Sequence, residues 1–369
     1  MTKKMKSFTP DWISSPGETI IDLLNERDWT QADFAMRMGQ STKHINEIIK
    51  GKKPITQDTA TKLERVLGST AEFWLNRELH YRQNRARLNE TKRLESWNSW
   101  AQKLPIHDLM SLGYIQKRRA TQNHLAEIVD DLLRLFRVAS PDEWKSHYAG
   151  MSGSFRCTHH EQSDIGAISS WIRLGEIEAE KIEGPKYNKS TFEESLGTIR
   201  SLTLSPFHEI EDTLKKICLK SGVALIIIPS ITRAHVSGVA RWLNSHKPII
   251  QLSLYGKTND RIWFTFFHEV AHILKHGKKE IFLDEFGGTR LDSVEEREAD
   301  AWASDFLIPS EYSKELHKLK DEKSVKIFAE KINIHPGIVV GRLQHEDFIK
   351  YSQLNHLKES YQHKNNPNS

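Results

Sequence analysis

Residues 263–274 read Trp263-Phe264-Thr265-Phe266-Phe267-His268-Glu269-Val270-Ala271-His272-Ile273-Leu274, an apolar run with three polar groups in its middle. It reads as a buried helix. His268 and His272 lie four apart, so both imidazoles project from one face and can reach a single ion. Glu269 lies about 100° around the helix, near enough to act on water beside that ion. Catalytic zinc takes three protein ligands and keeps one position open, and a neighbouring carboxylate can move protons during amide cleavage. A pentapeptide of this form arises by chance roughly once in fifteen chains of this length and composition, so a third ligand has to be found.

Downstream runs Glu295-Glu296-Arg297-Glu298-Ala299-Asp300-Ala301-Trp302-Ala303-Ser304-Asp305-Phe306-Leu307-Ile308-Pro309, an amphipathic helix stopping before a proline. Glu296 and Asp300 share a face, whereas Glu298 points away from both. Glu296 can therefore complete the zinc shell while Asp300 orients a ligand histidine through its free ring N–H. Glu298 stands as the alternative ligand, and a solvated acidic face as the alternative for all three acids. His276 lies on the face of His272; packing and a transition-state contact are both open to it. Upstream, Leu214, Ile217 and Cys218 lie on a helix ending at Gly222. The run Val223 to Ile228, closed by Pro229, reads as a buried strand, and Ile249 to Leu254 as a second. Helix, strand, strand and motif-bearing helix predict an α+β domain over residues 206–350.

The spacing His268-Glu269-x-x-His272, Glu296-x-x-Ala299-Asp300-x-x-Ala303 and Leu307-Ile308-Pro309 resembles the ImmA/IrrE family of zinc metallopeptidases over roughly residues 210–345. The resemblance implies a zincin-like fold, Zn2+ held by His268, His272 and Glu296, and Glu269 as general base. That family cuts DNA-binding repressors during stress or mobile-element induction, so the implied substrate is a protein regulator. The chain departs from the family at Ile308, where methionine is usual, and offers no assignable oxyanion donor.

Residues 12–80 carry a different pattern: four short apolar stripes with Gly39, Gly51 and Gly68 where helices should stop. Within it, Thr30 to Gly39 followed by Gln40 to Gly51 has helix-turn-helix spacing, with Ala35 at the helix crossing, Gly39 in the turn and Ile45 and Ile48 as anchors. Ser41 is a natural N-cap. Thr42, Lys43, Asn46 and Glu47 then face outward, where base edges are read in a major groove, and Gln31 sits where phosphate is touched. This stretch resembles the Xre/Cro family and most closely its HigA antitoxin branch, through Ser15-Pro16-Gly17-Glu18, Pro54-Ile55-Thr56, Leu63-Glu64-Arg65-Val66-Leu67-Gly68 and Phe73-Trp74-Leu75. The turn residue Gln40 departs from it, since an apolar residue is usual there.

Charge supports the division. Residues 1–100 hold 17 Lys/Arg against 13 Asp/Glu, which accounts for the whole net charge of +4. A basic first domain on a neutral body suits a phosphate-contacting module. With 369 residues and a hydrophobic fraction of 38%, the chain can bury more than one core. No long apolar segment predicts a membrane span, and two cysteines build no disulfide framework. The expected location is the cytoplasm. Cys157-Thr158-His159-His160 can ligate a metal or form a surface loop.

The expected architecture is thus a mainly α helix-turn-helix bundle (12–80), a helical connector (81–205), an α+β metallopeptidase domain (206–350) and a polar tail (351–369). The expected partners are double-stranded DNA, met as a homodimer on paired half-sites, and a protein substrate such as a repressor, or a cognate toxin. Two functions follow. One is a DNA-bound regulator that is also a zinc endopeptidase; the other is an antitoxin-like repressor whose peptidase domain serves as a sensor or interaction module.

Overall fold

The computed structural model describes residues 14–119, 124–155, 164–253, 258–276, 282–285 and 294–361, the side chains of 149–155 and 282–285 excepted. The Cys157-Thr158-His159-His160 cluster lies outside the described residues, as does the end of the expected tail from residue 362.

The chain divides into two compact units. The first holds residues up to Asn98 together with Leu125–Glu127. Its helices are α1 (Pro16–Glu26), α2 (Gln31–Met38), α3 (Thr42–Ile49), α4 (Gln57–Leu67) and α5 (Ala71–Ser96). Each starts at a hydroxyl residue, Ser15, Thr30, Ser41, Thr56 or Thr70, whose side chain accepts from the amide three residues on. At Thr30 the bond is reciprocated by Asp33, a capping box. Gly39 ends α2 in the left-handed conformation (φ 64°, ψ 37°), which costs glycine little. Ile20, Phe34, Ala35, Ile45, Leu63 and Trp74 form the core. Gly17 matters for close approach: α1 begins directly on the Ile49 carbonyl, where a Cβ would overlap the oxygen.

The connector expected from residue 81 does not begin there. Helix α5 runs unbroken to Ser96, because no proline or glycine interrupts 71–96. An Arg82–Glu78 ion pair at i,i+4 bridges its middle.

The second unit takes in Ser99–His124 and everything from Ile128, so most of the remaining connector packs with the α+β domain. Before the sheet come α6 (Asn98–Ala101), α7 (Ile106–Ser111), α8 (Leu125–Phe136), α9 (Pro141–Phe155), α10 (Ile165–Glu180), α11 (Lys189–Ser201) and α12 (Phe207–Lys220). The sheet has the order β1-β3-β2-β4, from β1 (Ala224–Ile227), β2 (Val236–Asn244), β3 (Lys247–Leu252) and β4 (Phe282–Glu285). β1 pairs parallel with β3, and β2 pairs antiparallel with both β3 and β4. The long helix α13 (Asn259–Lys275) lies against β2 and β3, with α14 (Val294–Leu307) alongside it. Then follow α15 (Ser313–Leu316), α16 (Glu322–Lys331) and α17 (Pro336–His345).

Two of these strands were not foreseen. β2 escapes a hydropathy reading because a charge sits in its interior. Arg241 is buried, held by Glu176 at 2.5 Å and by the Ile172 carbonyl at 2.7 Å. Glu176 is shared with Arg173 at 2.6 Å, so α10 is tied to the sheet by ions as well as by its buried apolar residues. In β3 the buried Gln251 similarly donates to the Trp171 carbonyl.

The residues read as a polar tail also differ from expectation up to 361. Ser360 bridges to Thr258, the Glu359 carbonyl accepts from the Asn259 amide, and Tyr361 donates to Glu211 at 2.6 Å. Lys358 Nζ reaches Asp260 at 2.6 Å. The segment's own sequence is polar, but its polar groups have buried partners at the start of α13. Among the described residues, no helix is long and apolar enough to cross a membrane.

Candidate metal centre and helix-turn-helix surface

Helix α13 has an apolar underside, Ile262, Trp263, Phe266, Phe267 and Val270, that belongs to the core of the second unit. This anchors the helix so that its polar groups share a fixed direction. His268, Glu269, His272 and, from α14, Glu296 are 1%, 0%, 2% and 5% exposed. His268 Nε2 lies 3.1 Å from Glu296 Oε2, and His272 Nε2 lies 3.4 Å from Glu296 Oε1. The two Nε2 atoms are 2.9 Å apart. One ligand atom from each of these three residues falls within 4.8 Å of the others. Two imidazole nitrogens and one carboxylate oxygen, converging and buried, are a donor set suited to zinc.

The electrostatics agree. Burial pushes His272 down to about 4, even though its bond to Glu296 opposes this. Burial would by itself raise the Glu296 carboxyl, but the adjoining His268 and His272 rings outweigh this and hold it down at about 2. His272 is thus neutral and the Glu296 carboxylate ionised at neutral pH, the protonation states a cation requires.

Around the donors, Asp300 Oδ1 accepts from His268 Nδ1 at 2.8 Å, the arrangement that leaves Nε2 as the nitrogen able to ligate an ion. Glu298 is not among the converging groups. It lies exposed, bonded by Lys275 at 2.8 Å and facing His276 Nε2 at 3.4 Å. His276 in turn brings its Nδ1 within 2.8 Å of His272 Nδ1. Sequence reasoning missed Gly238 of β2. A Cβ there would come within 2.8 Å of Glu269 Oε1 and 2.6 Å of Thr265 Cγ2, so the absent side chain makes room for the buried carboxylate. No local signal marks it, since the contact joins a strand to a helix beginning some twenty residues later.

In the first unit, Gln31, Ser41, Thr42 and Lys43 are exposed at the starts of α2 and α3, while Asn46 and Glu47 are half-buried. Ser41 accepts from the His44 amide and so caps α3. Glu47 is less open than the sequence implied. Its carboxylate is paired with Lys53 at 2.9 Å, and a hydrogen bond from that lysine holds its pKa below the ordinary value. The amides of Lys52 and Lys53 both donate to the Glu47 carbonyl, folding a turn with exposed Lys50, Lys52 and Lys53 back on the helix. The sequence reading did not select these three lysines, which are exposed directly after α3.

Comparison with known families agrees with both units. Residues 20–74 match the helix-turn-helix family model, and residues 225–344 match the IrrE N-terminal-like domain of the M78 peptidases. The chain carries one domain of each kind. An uncharacterised HTH-type transcriptional regulator, YddM of Escherichia coli K12, is 33% identical over 61 residues, 16% of this chain and 65% of that protein. The chain therefore spans just under two thirds of that relative's length. Among solved structures, an antidote protein of a plasmid maintenance system from Nostoc punctiforme shows 33% identity, covering 23% of this chain and 92% of its own (TM-score 0.22). An addiction module antidote protein of the HigA family from Coxiella burnetii shows 30% identity, covering 22% and 91% (TM-score 0.21).

Proposed function

We propose that the chain is a DNA-bound transcription regulator whose second unit is a zinc-dependent endopeptidase, acting on a repressor protein or on the chain itself under stress or mobile-element control. The observation that carries this reading is the convergence of His268, His272 and Glu296 beside the buried Glu269. His268, His272 and Glu296 would hold the ion, and Asp300 orients His268. Bound zinc supplies Lewis-acid activation of water and polarisation of the scissile carbonyl. The Glu269 carboxylate takes a proton from the attacking water and returns it to the leaving amide nitrogen as the C–N bond breaks. Burial of Glu269 keeps that proton from bulk solvent. In the first unit, Thr42, Lys43, Asn46 and Glu47 face base edges, Gln31 and the Ser41 end of α3 face phosphate, and a homodimer reads two half-sites in the cytoplasm.

The test is incubation of the zinc-loaded protein with candidate repressors, beside a Glu269→Gln variant. The parent is expected to cleave, and the variant to bind zinc and lose about 10²–10⁴ of the rate. Equal cleavage by both, or none by the parent under any inducing condition, removes the peptidase assignment and leaves the reading in which the unit is a sensor attached to an antitoxin-like repressor. A Lys43→Ala variant that footprints DNA like the parent would overturn the placement of the recognition surface.

A further inference from the structure

The two ligand imidazoles are held in different ways. His268 Nδ1 meets a carboxylate directly, Asp300 Oδ1 at 2.8 Å. His272 Nδ1 instead meets a second imidazole, His276 Nδ1, at 2.8 Å. We propose that His276 is a positioning residue of the metal centre, fixing the tautomer and orientation of His272 and tying them to Glu298. The proposal rests on the zinc reading above, because a ring nitrogen needs fixing when the other one binds an ion.

The donor and acceptor roles follow from the geometry. His272 Nε2 points at the converging donors, 2.9 Å from His268 Nε2 and 3.4 Å from Glu296 Oε1. It is therefore the ligating atom and carries no proton, so the single proton of a neutral His272 sits on Nδ1. That N–H donates to His276 Nδ1, which must then be bare. The proton of His276 is left on Nε2, facing Glu298 Oε2 at 3.4 Å. Lys275 Nζ donates to the other oxygen of the same carboxylate at 2.8 Å, holding it in place. One set of tautomers satisfies the whole line without charging either ring.

The end of α13 builds this arrangement. His276 is the first residue past the helix, in extended conformation (φ −102°, ψ 167°), and its amide still donates to the His272 carbonyl. The backbone turn brings its ring back over the preceding turn, with centroids 4.9 Å apart. The ring is buried, 5% exposed. Glu298 stands two residues past Glu296 on α14, about 200° around that helix from it, and its Oε2 comes within 3.4 Å of the ring Nε2. The acid that reads from sequence as a rival ligand thus terminates the relay.

The test uses the full chain, with zinc affinity measured by chelator competition and the absorption spectrum of the Co2+-loaded protein as a second readout. His276→Phe keeps a ring of similar size and removes the acceptor. It is expected to weaken zinc binding by about 10–100-fold and to change the cobalt spectrum. His276→Asn places an acceptor oxygen near the Nδ1 position and should recover most of the loss; Glu298→Gln should give a smaller loss than the phenylalanine. A folded His276→Phe protein, by circular dichroism, that binds zinc within about twofold of the parent overturns the relay and leaves the zinc centre standing. Equal losses in the phenylalanine and asparagine variants also overturn it, because packing would then be the only role. A parent that takes up no zinc removes the centre and the relay together, and a His272→Ala control tells that case apart.

Discussion

Helices α1 to α5 each begin at a serine or threonine that caps the chain three residues ahead, whereas the metal centre draws its groups from helices 28 residues apart (268 to 296). The first unit is specified locally: caps, a left-handed Gly39 and an amphipathic stripe on each short helix. The second is specified at long range, by β1–β3 pairing across some twenty-five residues and by buried ions joining α10 to β2. A surface that reads DNA needs only correctly spaced helices. A centre that holds an ion needs several side chains placed to a fraction of an ångström, which a rigid, non-local frame provides.

The sharpest way to break that contrast is to remove a ligand. Glu296→Ala should abolish stoichiometric zinc uptake, measured by metal analysis, while DNA affinity stays within about twofold of the parent. If both fall together, the two regions do not operate separately.

Next in size is the ionic frame. Glu176→Gln takes from the buried Arg241 its carboxylate partner and leaves the buried Arg173 with the more distant Glu180, and should cost about 3–5 kcal/mol in urea unfolding of the second unit. The same group sets an acid limit. Burial alone would raise the Glu176 carboxyl, but the adjoining Arg241 and Arg173 outweigh it and hold the folded value below the ordinary 4.5. The unfolded chain then binds more protons in that window. The contribution is full above pH 4.5 and is lost as pH falls through the depressed folded value. Glu176→Gln should flatten this acid dependence, and an unchanged slope would show that the pair is not linked to folding.

Smaller effects test the local side. Gly17→Ala sets a Cβ against the Ile49 carbonyl, a backbone atom that cannot swing aside. About 1–3 kcal/mol should be lost, seen as a lower urea midpoint for the first unit. Ser41→Ala removes the cap of α3 and should cost about 1 kcal/mol, with a matching drop in DNA affinity. A Ser41→Ala protein as stable as the parent would mean that the hydroxyl serves DNA rather than the helix.

What could be read beforehand divides along the same line. Gly39, Ser41 and the Ile45–Ile48 pair carry their meaning in their immediate neighbours, so the first unit was legible in outline. At the centre, the four-residue spacings of His268–His272 and Glu296–Asp300 were legible because helical periodicity is itself local. β2 was not, since Arg241 looks solvent-facing until Glu176 is seen opposite it. Nor was Gly238, whose reason for being glycine is Glu269 on another element. The stretch 351–361 reads as polar because its partners, Asn259, Asp260 and Glu211, lie far back in the chain.

That last contact has a consequence for the order of assembly on the ribosome. The first unit has all its residues once 127 has emerged. The start of α13 receives Lys358 and the Ser360 bridge only when residue 361 is out. At ordinary rates of elongation this is a delay of roughly ten to fifty seconds. A nascent chain would therefore be able to fold its helix-turn-helix unit before the helix that carries His268 and His272 is clamped at its start.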